Sequence, residues 1–493
     1  MPSLKNYEFW FVTGSQFLYG EEPLRQVAEH SKIIAENLSK KTPYSIKFKP
    51  VVKTPEEIYQ LAVDANSDET CAGIITWMHT FSPAKMWIKG LMSLQKPMLH
   101  LHTQFNRDIP WDSIDMDFMN LNQSAHGDRE FGFIGARLRM TRKVIAGHWE
   151  DEKVVDRIGR WMRSAVAFVY SKHIKVCRFG DNMRNVAVTE GDKVEAQIKL
   201  GWTIDGYGIG DLVKMVNEVS ESDVDKLIKE YENQYDMSQV KGSEEKMEAV
   251  RYQARIEIAL KTFMAQGNFE AFTTTFEDLH GLKQLPGLAS QRIMEAGYGF
   301  GAEGDWKTSA LVRLVKIMAD GKETSFMEDY TYHFEPGNEM NLGAHMLEIC
   351  PTIASGKPRI EVHALGIGGK SDPARLVFDS AAGPAVCASL IDLGNRFRLV
   401  ISVVDVVEAA HDMPKLPVAR VLMKPQPSLS VATEAWIHAG GAHHTVYTQN
   451  VTVEQLTDWA EMCGIECIVI DKDTKISSLL KELRWNEIAY KLM

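Results

Sequence analysis

The sequence predicts an α/β protein: two doubly wound αβ domains with parallel sheets, followed by a mostly antiparallel, β-barrel-like C-terminal domain. Two observations lead to this prediction. Up to about residue 323, apolar β-branched segments alternate with segments of helical spacing, as they do in repeated βαβ units. Beyond that point, strand-like segments follow one another with few helical signals, which is typical of a barrel or a sandwich. We therefore expect domains at 1–173, 174–323 and 324–493, the last one with terminal helices.

The alternation is clearest in the first domain. We expect strands at 7–12, 46–52, 71–77 and 97–101, and helices at 22–38, from Thr54-Pro55 and from Ser82-Pro83. Threonine is common at a helix cap and proline at the first helical position. The run 71–77 is almost continuously apolar, as a parallel strand covered on both faces must be. This pattern predicts an open, doubly wound sheet.

Gln16 and His79 follow the first and the third of these predicted strands. In open parallel sheets, ligands bind beyond the carboxyl ends of the strands. Both residues are therefore candidates for a binding site, with ordinary turn chemistry as the alternative for each.

The second and third domains differ in their predicted secondary structure. In the second, we expect a strand pair at 186–189 and 193–198 around Glu190-Gly191-Asp192, and a charged, solvated helical surface at 220–246. In the third, we expect strands at 361–365, 375–378, 397–407 and 420–423, a helix at 453–463, and helical structure in about the last 25 residues.

Charge and cysteine content narrow the class of protein. The net charge of −11 argues against a nucleic-acid partner, because a phosphate backbone requires a basic surface. The N-terminal apolar stretch contains Glu8 and is too short for a signal peptide, and no apolar run is long enough to span a membrane. The six cysteines are scattered, and Cys463 and Cys467, which would share a helix face, lack the second pair of a structural zinc site. We expect partly buried thiols in a cytoplasmic protein.

Two glycine-rich segments imitate nucleotide-binding motifs. Residues 299–304 match G-x-G-x-x-G, but residues 291–296 have helical spacing, whereas a dinucleotide fingerprint follows a strand. Residues 366–371 suggest a phosphate-binding loop, but Ala364 stands where that motif requires glycine. We therefore expect no nucleotide cofactor.

Acidic and imidazole side chains in the second half of the chain form the strongest chemical pattern. The candidates are Glu303, Glu328, His345 and His444, with His443 beside the last. Two carboxylates and two imidazoles suit Mn²⁺ or a similar octahedral ion, which polarises a carbonyl while a glutamate moves a proton between neighbouring carbons. In an extended segment, His443 and His444 would point to opposite faces, so that only one would face the site. A chance grouping among 15 histidines is the alternative.

Glu303 lies in a glycine-rich turn, from which a carboxylate can point into a cleft without distorting a helix. Asp305 can cap the helix that follows. The expected apolar face of that helix consists of Ala310, Leu311, Leu314, Val315 and Met318.

Eight longer segments carry a resemblance that extends along the whole chain. They are YEFWFVTGSQFLYGEE (7–22), TWMHTFSPAKMWIKGL (76–91), AHGDREFGFIGARLR (125–139), GDNMRNVAVTEGDKVEAQIKLGW (180–202), GAEGDWKTSALVR (301–313), TSFMEDYTYHFEPGNE (324–339), AHMLEICPTIA (344–354) and WIHAGGAHHTVYT (436–448). These segments are collinear and spread over all three expected domains. By them the sequence resembles the L-arabinose isomerases.

The resemblance implies a reaction and a metal site. Members of that family interconvert L-arabinose and L-ribulose, often also D-galactose and D-tagatose, by ring opening and proton transfer between C1 and C2 through an enediol. Their metal is Mn²⁺, with Co²⁺ or Mg²⁺ as alternatives. By the resemblance, Glu303 and Glu328 are the acid/base pair, and His345 and His444 hold the metal with them.

The resemblance also implies a sugar pocket and an assembly. The substrate-binding residues would be Gln16, Leu18, Met183, Phe276, Ile367 and His443. The assembly would be a homohexamer, a dimer of trimers, in which Gln123 and His126 reach a neighbouring subunit's site. For the apolar members of the pocket, core packing is the alternative. Phe17 departs from the family, many members of which have histidine there, and it would alter pocket polarity or sugar preference.

Three other functions stay open from the sequence. An isomerase of a related sugar, such as L-fucose, would share the fold and the metal chemistry. A non-catalytic sugar-binding protein would leave the paired glutamates and the third domain unexplained. A metal-dependent hydrolase would use water as co-substrate and release two products.

Overall fold

The computed structural model describes residues 4–490 and forms two compact units, one ending at Val169 and one beginning at Tyr170. The predicted division into three domains stays a prediction. Within residues 4–490, every helix is too short or too polar to cross a bilayer.

The first unit is built on a parallel sheet. Its strands are β1 Glu8–Gly14, β2 Ser45–Phe48, β3 Cys71–Met78, β4 Met98–His102 and β5 Lys143–Ala146. Its helices are α1 Glu21–Lys41, α2 Pro55–Ser67, α3 Ile88–Ser93, α4 Met116–Leu121, α5 Ser124–Arg137 and α6 Glu152–Ser171, which runs past Val169. The strand order β2-β1-β3-β4-β5, with all pairings parallel, confirms the open, doubly wound sheet.

Local signals predicted most of these elements correctly. The strands expected at 7–12, 71–77 and 97–101 and the helix at 22–38 are confirmed. Thr54 accepts a hydrogen bond from the Glu57 amide and caps α2, as expected. The strand expected at 46–52 ends at Phe48, because Pro50 has no N–H to donate to the ladder. The helix expected after Ser82-Pro83 begins as a 3₁₀ turn at Ala84–Trp87.

The second unit begins with another parallel sheet. Its strands are β6 Lys175–Phe179, β7 Thr203–Tyr207, β8 Ala271–Thr274 and β9 Gly299–Gly301, in the order β7-β6-β8-β9. Its helices are α7 Lys193–Leu200, α8 Ile209–Glu218, α9 Glu221–Gln234, α10 Glu244–Gly267, α11 Gly287–Glu295 and α12 Trp306–Met318. The helical surface expected at 220–246 is confirmed in part: α9 and the start of α10 are helical, but residues 235–243 between them are not, and one face of α9, including Val224 and Tyr231, is buried.

The predicted strand pair at 186–189 and 193–198 is wrong. Residues Ala187–Thr189 form a 3₁₀ turn, and the second segment belongs to α7. Asp192 accepts hydrogen bonds from two amides of the first turn and so caps the helix. Ala196 and Leu200, four residues apart, are both buried, which gives the segment helical rather than strand periodicity.

The last part of the second unit is a closed barrel. Its elements in chain order are β10 Thr324–His333, β11 Met340–Ala344, β12 Arg359–Val362, β13 Ala374–Val377, β14 Gly383–Asp392, β15 Phe397–Val407, β16 Arg420–Pro425, α13 Leu429–Ala439, β17 His444–Thr448, α14 Val453–Cys463, β18 Glu466–Ile470 and α15 Ile476–Ala489. Six antiparallel strands run in the order β14-β17-β10-β11-β16-β15, and β15 pairs with β14 to close the ring. A barrel, and not a sandwich, is thus confirmed. Strand β18 joins β15 from outside in parallel, and β12 and β13 form a separate pair.

In the predicted third domain, the strands and helices with long apolar segments were predicted correctly. The strand at 397–407 and the helix at 453–463 are confirmed, as is the terminal helix. The strand expected at 361–365 ends at Val362. Cys463 lies at the end of α14 and Cys467 lies in β18, so the two thiols do not share a helix face. All six cysteines are free, and five are buried.

Each unit has its own apolar core. In the first, Val12 and Ile74 of the sheet pack with Trp87 and with Phe131 of α5. In the second, one core joins the barrel to the helices beside it, and its members include Tyr231, Val250, Met327, Val421 and Tyr447. The barrel is therefore held rigidly against the helices of its own unit.

Candidate active site

Glu303 lies in the turn between β9 and α12. Its φ of +59° is in the left-handed region, which residues other than glycine seldom adopt. The turn is held by two backbone hydrogen bonds, from the Met183 amide to the Glu303 carbonyl at 2.9 Å and from the Gly304 amide to the Thr274 carbonyl at 3.1 Å. Strained backbone of this kind persists where the surroundings over-determine it, often at functional sites. The turn directs a carboxylate outward from the carboxyl end of a parallel strand.

Barrel pairing brings the other candidate residues together. In the antiparallel register, Glu328 of β10 lies opposite His444 of β17 on one side and opposite Ala344 of β11 on the other. His345 directly follows Ala344. Three candidates from separate parts of the sequence therefore become neighbours, two on adjacent strands and His345 at the end of the third.

Asp305 orients His444. Its carboxylate Oδ2 lies 3.2 Å from His444 Nδ1, which donates to it, and the same carboxylate caps α12 through the Thr308 amide. Among residues 4–490, the buried His444 Nε2 finds no hydrogen-bond partner, and it lies 3.9 Å from Glu303 Oε2. Burial opposes ionisation of Asp305, but Lys307 and His444 hold the pKa of this carboxyl below its usual value. The Nε2 lone pair is thus presented toward Glu303.

Glu348 orients His345 in the same way. Its Oε2 lies 2.5 Å from His345 Nδ1, and His345 Nε2 lies 3.7 Å from Glu328 Oε2. Each imidazole therefore has one nitrogen on a supporting carboxylate and the other near a candidate glutamate. Carboxylate–histidine pairs of this kind set the tautomer of metal-binding histidines.

Phe326 supports both imidazoles. Its ring meets His345 edge-on at a centroid distance of 5.0 Å and His444 at 5.2 Å. The two imidazole centroids are 6.2 Å apart. A buried aromatic ring in contact with both leaves little freedom for either to rotate.

Charges in this cluster stabilise one another. The His443 imidazole, with Nε2 3.7 Å from Glu303 Oε2, is the main reason that the pKa of Glu303 lies below its usual value. The same interaction raises the pKa of His443. Burial disfavours the charged form of His345, but the Glu348 carboxylate outweighs it and the pKa of His345 is raised. The pocket therefore favours paired opposite charges.

The donor set fits a divalent cation. Ligand atoms of Glu303, His443 and His444 all lie within 4.8 Å of one another, and among the described residues His444 Nε2 is a buried nitrogen that lacks a partner. Of the four predicted metal ligands, Glu328 and His345 lie outside this group and form a pair of their own, with His345 Nε2 3.7 Å from Glu328 Oε2. The expectation that only one of the two adjacent histidines would face the site is wrong, since both have Nε2 within 4 Å of Glu303. The reason is that β17 begins at His444, so that strand alternation does not include His443.

A cavity of about 240 Å³ opens beside these residues. It is lined by Glu303, Glu328 and His345, together with Phe276 and Ile367 of the predicted sugar pocket. Met183, also predicted to bind sugar, contributes the backbone amide that holds Glu303. Polar groups thus converge on a cavity with apolar walls, as in most small-molecule sites.

The remaining predicted substrate residues lie in the first unit. Gln16 donates to the Phe81 carbonyl at 3.2 Å, and Gln123 donates to the Tyr19 hydroxyl at 3.3 Å. His126 Nδ1 lies 3.2 Å from Gln123 Oε1. Leu18 and Phe17 lie on the surface, with 82% and 63% of their areas exposed.

Models of known protein families match almost the whole chain. The models of the N-terminal, central and C-terminal domains of L-arabinose isomerase match residues 3–173, 175–321 and 323–466. The chain belongs to the L-arabinose isomerase family. The resemblance read from the eight segments is thereby confirmed, and the protein is an enzyme of the isomerase class.

Individual members of the family match along their full length. The L-arabinose isomerase of Geobacillus stearothermophilus is 67% identical over 494 residues, covering 100% of both chains. That of Bacillus subtilis (strain 168) is 62% identical and that of Clostridium beijerinckii 61% identical, again with 100% of both chains covered.

Three residues that support the site in this family member were not recognised as such from the sequence. Asp305 was expected only to cap a helix, and Glu348 and Phe326 were not singled out. Glu348 is three residues beyond His345, a spacing that could have suggested a pair. No sequence signal connects Asp305 to His444, because only the packing of α12 against β17 brings them together.

Proposed function

We propose that this protein interconverts L-arabinose and L-ribulose, the former being the sugar that its relatives' names contain. One observation carries the proposal furthest. The imidazoles of His345 and His444 each contact a supporting carboxylate through Nδ1. Each presents Nε2 to a glutamate at the edge of one cavity. This arrangement suits a metal-assisted reaction better than simple sugar binding, which has no need of ordered imidazole tautomers.

The proposed metal is Mn²⁺, with Co²⁺ or Mg²⁺ as alternatives, held by Glu303, Glu328, His345 and His444. Mixed carboxylate and imidazole donors suit such an ion. The bound ion would polarise the sugar's carbonyl and the adjacent hydroxyl. The unpartnered His444 Nε2 supports this assignment, because a buried nitrogen without a partner costs stability unless a ligand occupies it.

The protein's own side chains would move the protons. Glu303 and Glu328 are the proposed acid/base pair for transfer between C1 and C2 through an enediol. Phe276 and Ile367 would keep water away from that intermediate. His443, which is partly exposed, would contact sugar hydroxyls.

The proposal extends to the sugar pocket, the assembly and the location. Gln16, Leu18 and Met183 would also bind the sugar, and D-galactose would be converted to D-tagatose. The chain would form a homohexamer of two trimers in which Gln123 and His126 serve a neighbouring subunit's site. The free cysteines support a cytoplasmic location.

Activity of the full-length protein on three sugars tests this proposal. Isomerisation rates on L-arabinose, L-fucose and D-galactose are measured after EDTA treatment and again after Mn²⁺ is restored. We expect turnover to require the metal and to be fastest with L-arabinose. Faster turnover of L-fucose, or full activity in EDTA, would contradict it.

A further inference from the structure

A second cluster of metal-binding residue types lies in the first unit. His100 and His102 are two apart on β4, so both side chains project from the same face of the sheet. Asp128 of α5 lies between them. Its Oδ1 is 2.9 Å from His100 Nε2, and its Oδ2 is 2.9 Å from His102 Nδ1. All three ligand atoms lie within 4.8 Å of one another.

The two imidazoles differ in how they meet the carboxylate. His102 Nδ1 makes a hydrogen bond with Asp128. His100 Nε2 comes equally close, but its contact does not have the alignment of a hydrogen bond, and this buried nitrogen finds no other partner in the part of the chain that the structure describes. The His100 side chain is only 5% exposed. Two ligands of one metal ion lie close together without a hydrogen bond between them, because both direct lone pairs at the ion. The buried His100 nitrogen and the Asp128 carboxylate have this relationship.

We propose that His100, His102 and Asp128 form a second divalent-cation site, of the zinc class, separate from the glutamate and histidine cluster of the second unit. Ligand atoms around one tetrahedral zinc ion are roughly 3.3 Å apart. The two contacts of 2.9 Å, one to each oxygen of Asp128, are a few tenths of an ångström shorter, so that a small outward shift of the side chains would admit the ion. Two imidazoles and one carboxylate also favour zinc over Mn²⁺, which prefers oxygen donors.

The surroundings of the cluster suit a structural ion. Asp128 Oδ1 also accepts the Met78 amide at the end of β3, so the carboxylate is held in place from a neighbouring strand. Phe131 meets the His100 ring edge-on at 5.0 Å. The His102 side chain is 33% exposed, which leaves a path from solvent. An ion here would fasten α5 to β3 and β4, close to His126 on the same helix.

Zinc content of the full chain tests the proposal. Three variants are compared with the wild type: His100→Gln/His102→Gln, Glu303→Gln/His345→Gln, and His438→Gln as a control at a partly exposed histidine outside both clusters. Each protein is equilibrated at a buffered free zinc concentration, and bound zinc is measured by mass spectrometry. We expect about two ions in the wild type and the control, and about one in each double variant.

The outcomes separate the two sites. One ion in the wild type, lost only from Glu303→Gln/His345→Gln, would overturn the second site, and Asp128 would then be held by histidine protons alone. If only His100→Gln/His102→Gln lost a bound zinc ion, the result would support the second site and count against the proposed metal centre at Glu303, Glu328, His345 and His444.

A second measurement covers the case in which the double variant folds poorly. In the Glu303→Gln/His345→Gln background, zinc should raise the melting temperature of the protein, because a ligand that binds only the folded state stabilises it. Adding the single change His102→Gln, at the most exposed member of the cluster, should abolish that rise. An undiminished rise would overturn the proposal.

Discussion

Asp305 and His444 form a buried pair in which the carboxylate Oδ2 lies 3.2 Å from the imidazole Nδ1. The pair belongs to two different parts of the second unit, since Asp305 caps α12 and His444 begins β17. Because Nδ1 donates to Asp305, Nε2 is left as the acceptor nitrogen and lies 3.9 Å from Glu303 Oε2. A single hydrogen bond thus decides which nitrogen is available for a ligand.

Asp305→Asn should weaken binding of the proposed metal. The amide keeps the size of the side chain and its capability to cap α12, but its NH₂ group can donate to Nδ1 and so favour the wrong tautomer of His444. We expect about 10- to 100-fold lower Mn²⁺ affinity, measured by calorimetry on the metal-free protein. Asp192→Asn is the matched control, since Asp192 caps α7 without touching a histidine. Equal effects of the two changes would show that only helix capping is lost.

Glu348→Gln should have a similar effect through His345. The carboxylate lies 2.5 Å from His345 Nδ1, and the amide would hold that nitrogen with less charge. We expect weaker Mn²⁺ binding with little change in melting temperature. Glu361→Gln is the control, because Glu361 also pairs with a histidine, His363, at 2.7 Å but outside the cluster. Unchanged affinity in Glu348→Gln would rule out a positioning role.

Glu303→Gln and Glu328→Gln should each abolish isomerisation while leaving the fold intact. Neither glutamine can accept a proton from carbon, and removal of a positioned acid or base costs about 10²- to 10⁴-fold in rate. Initial rates on L-arabinose and circular dichroism spectra check the two parts of the prediction. Substantial activity in either variant would refute the acid/base role of that residue.

His444→Ala should weaken metal affinity more than His443→Ala. His444 is fully buried and its Nε2 has no hydrogen-bond partner within the described residues, whereas 36% of the His443 side chain is exposed to solvent. We expect His443→Ala to raise KM for the sugar instead. Titration of both variants with Mn²⁺, together with steady-state kinetics, distinguishes the two roles, and equal losses of affinity would contradict the assignment.

His79 should make the first unit sensitive to acid. Burial is the main reason that the pKa of His79 is lowered to about 3, and the neighbouring His30 contributes. His30 Nδ1 lies 2.7 Å from His79 Nε2, and the indole of Trp77 stacks on the His79 ring. Well above pH 6.5 His79 is protonated in neither the folded nor the unfolded state, and stability is complete. As the pH falls, only the unfolded chain binds the proton, so about 2 kcal/mol is lost by pH 5.

His79→Gln removes this effect and should flatten the fall in melting temperature between pH 7 and pH 5. His173→Gln, at an exposed position, serves as the control and should keep the wild-type slope. An unchanged slope in His79→Gln would show that other groups cause the acid sensitivity.

Local chemistry was sufficient to predict many elements from the sequence. Thr54 and Pro55 begin a helix, and the apolar run from Cys71 forms a buried strand, because caps, turns and apolar periodicity act within a few residues. The strand pair that was wrongly expected near Asp192 could have been avoided from the sequence. Asp192 caps α7, and a helix cap is itself a local signal.

The sequence by itself determined the family, the three patterns of secondary structure along the chain, and the candidate site residues Glu303, Glu328, His345 and His444. Only the tertiary structure decided how those candidates are supported. The register of β10, β11 and β17 places Glu328 beside His444 and Ala344, and the packing of α12 against β17 brings Asp305 to His444. Hydrogen bonds between strands far apart in the chain leave no periodic trace in the sequence, because their partners are chosen only when the sheet closes.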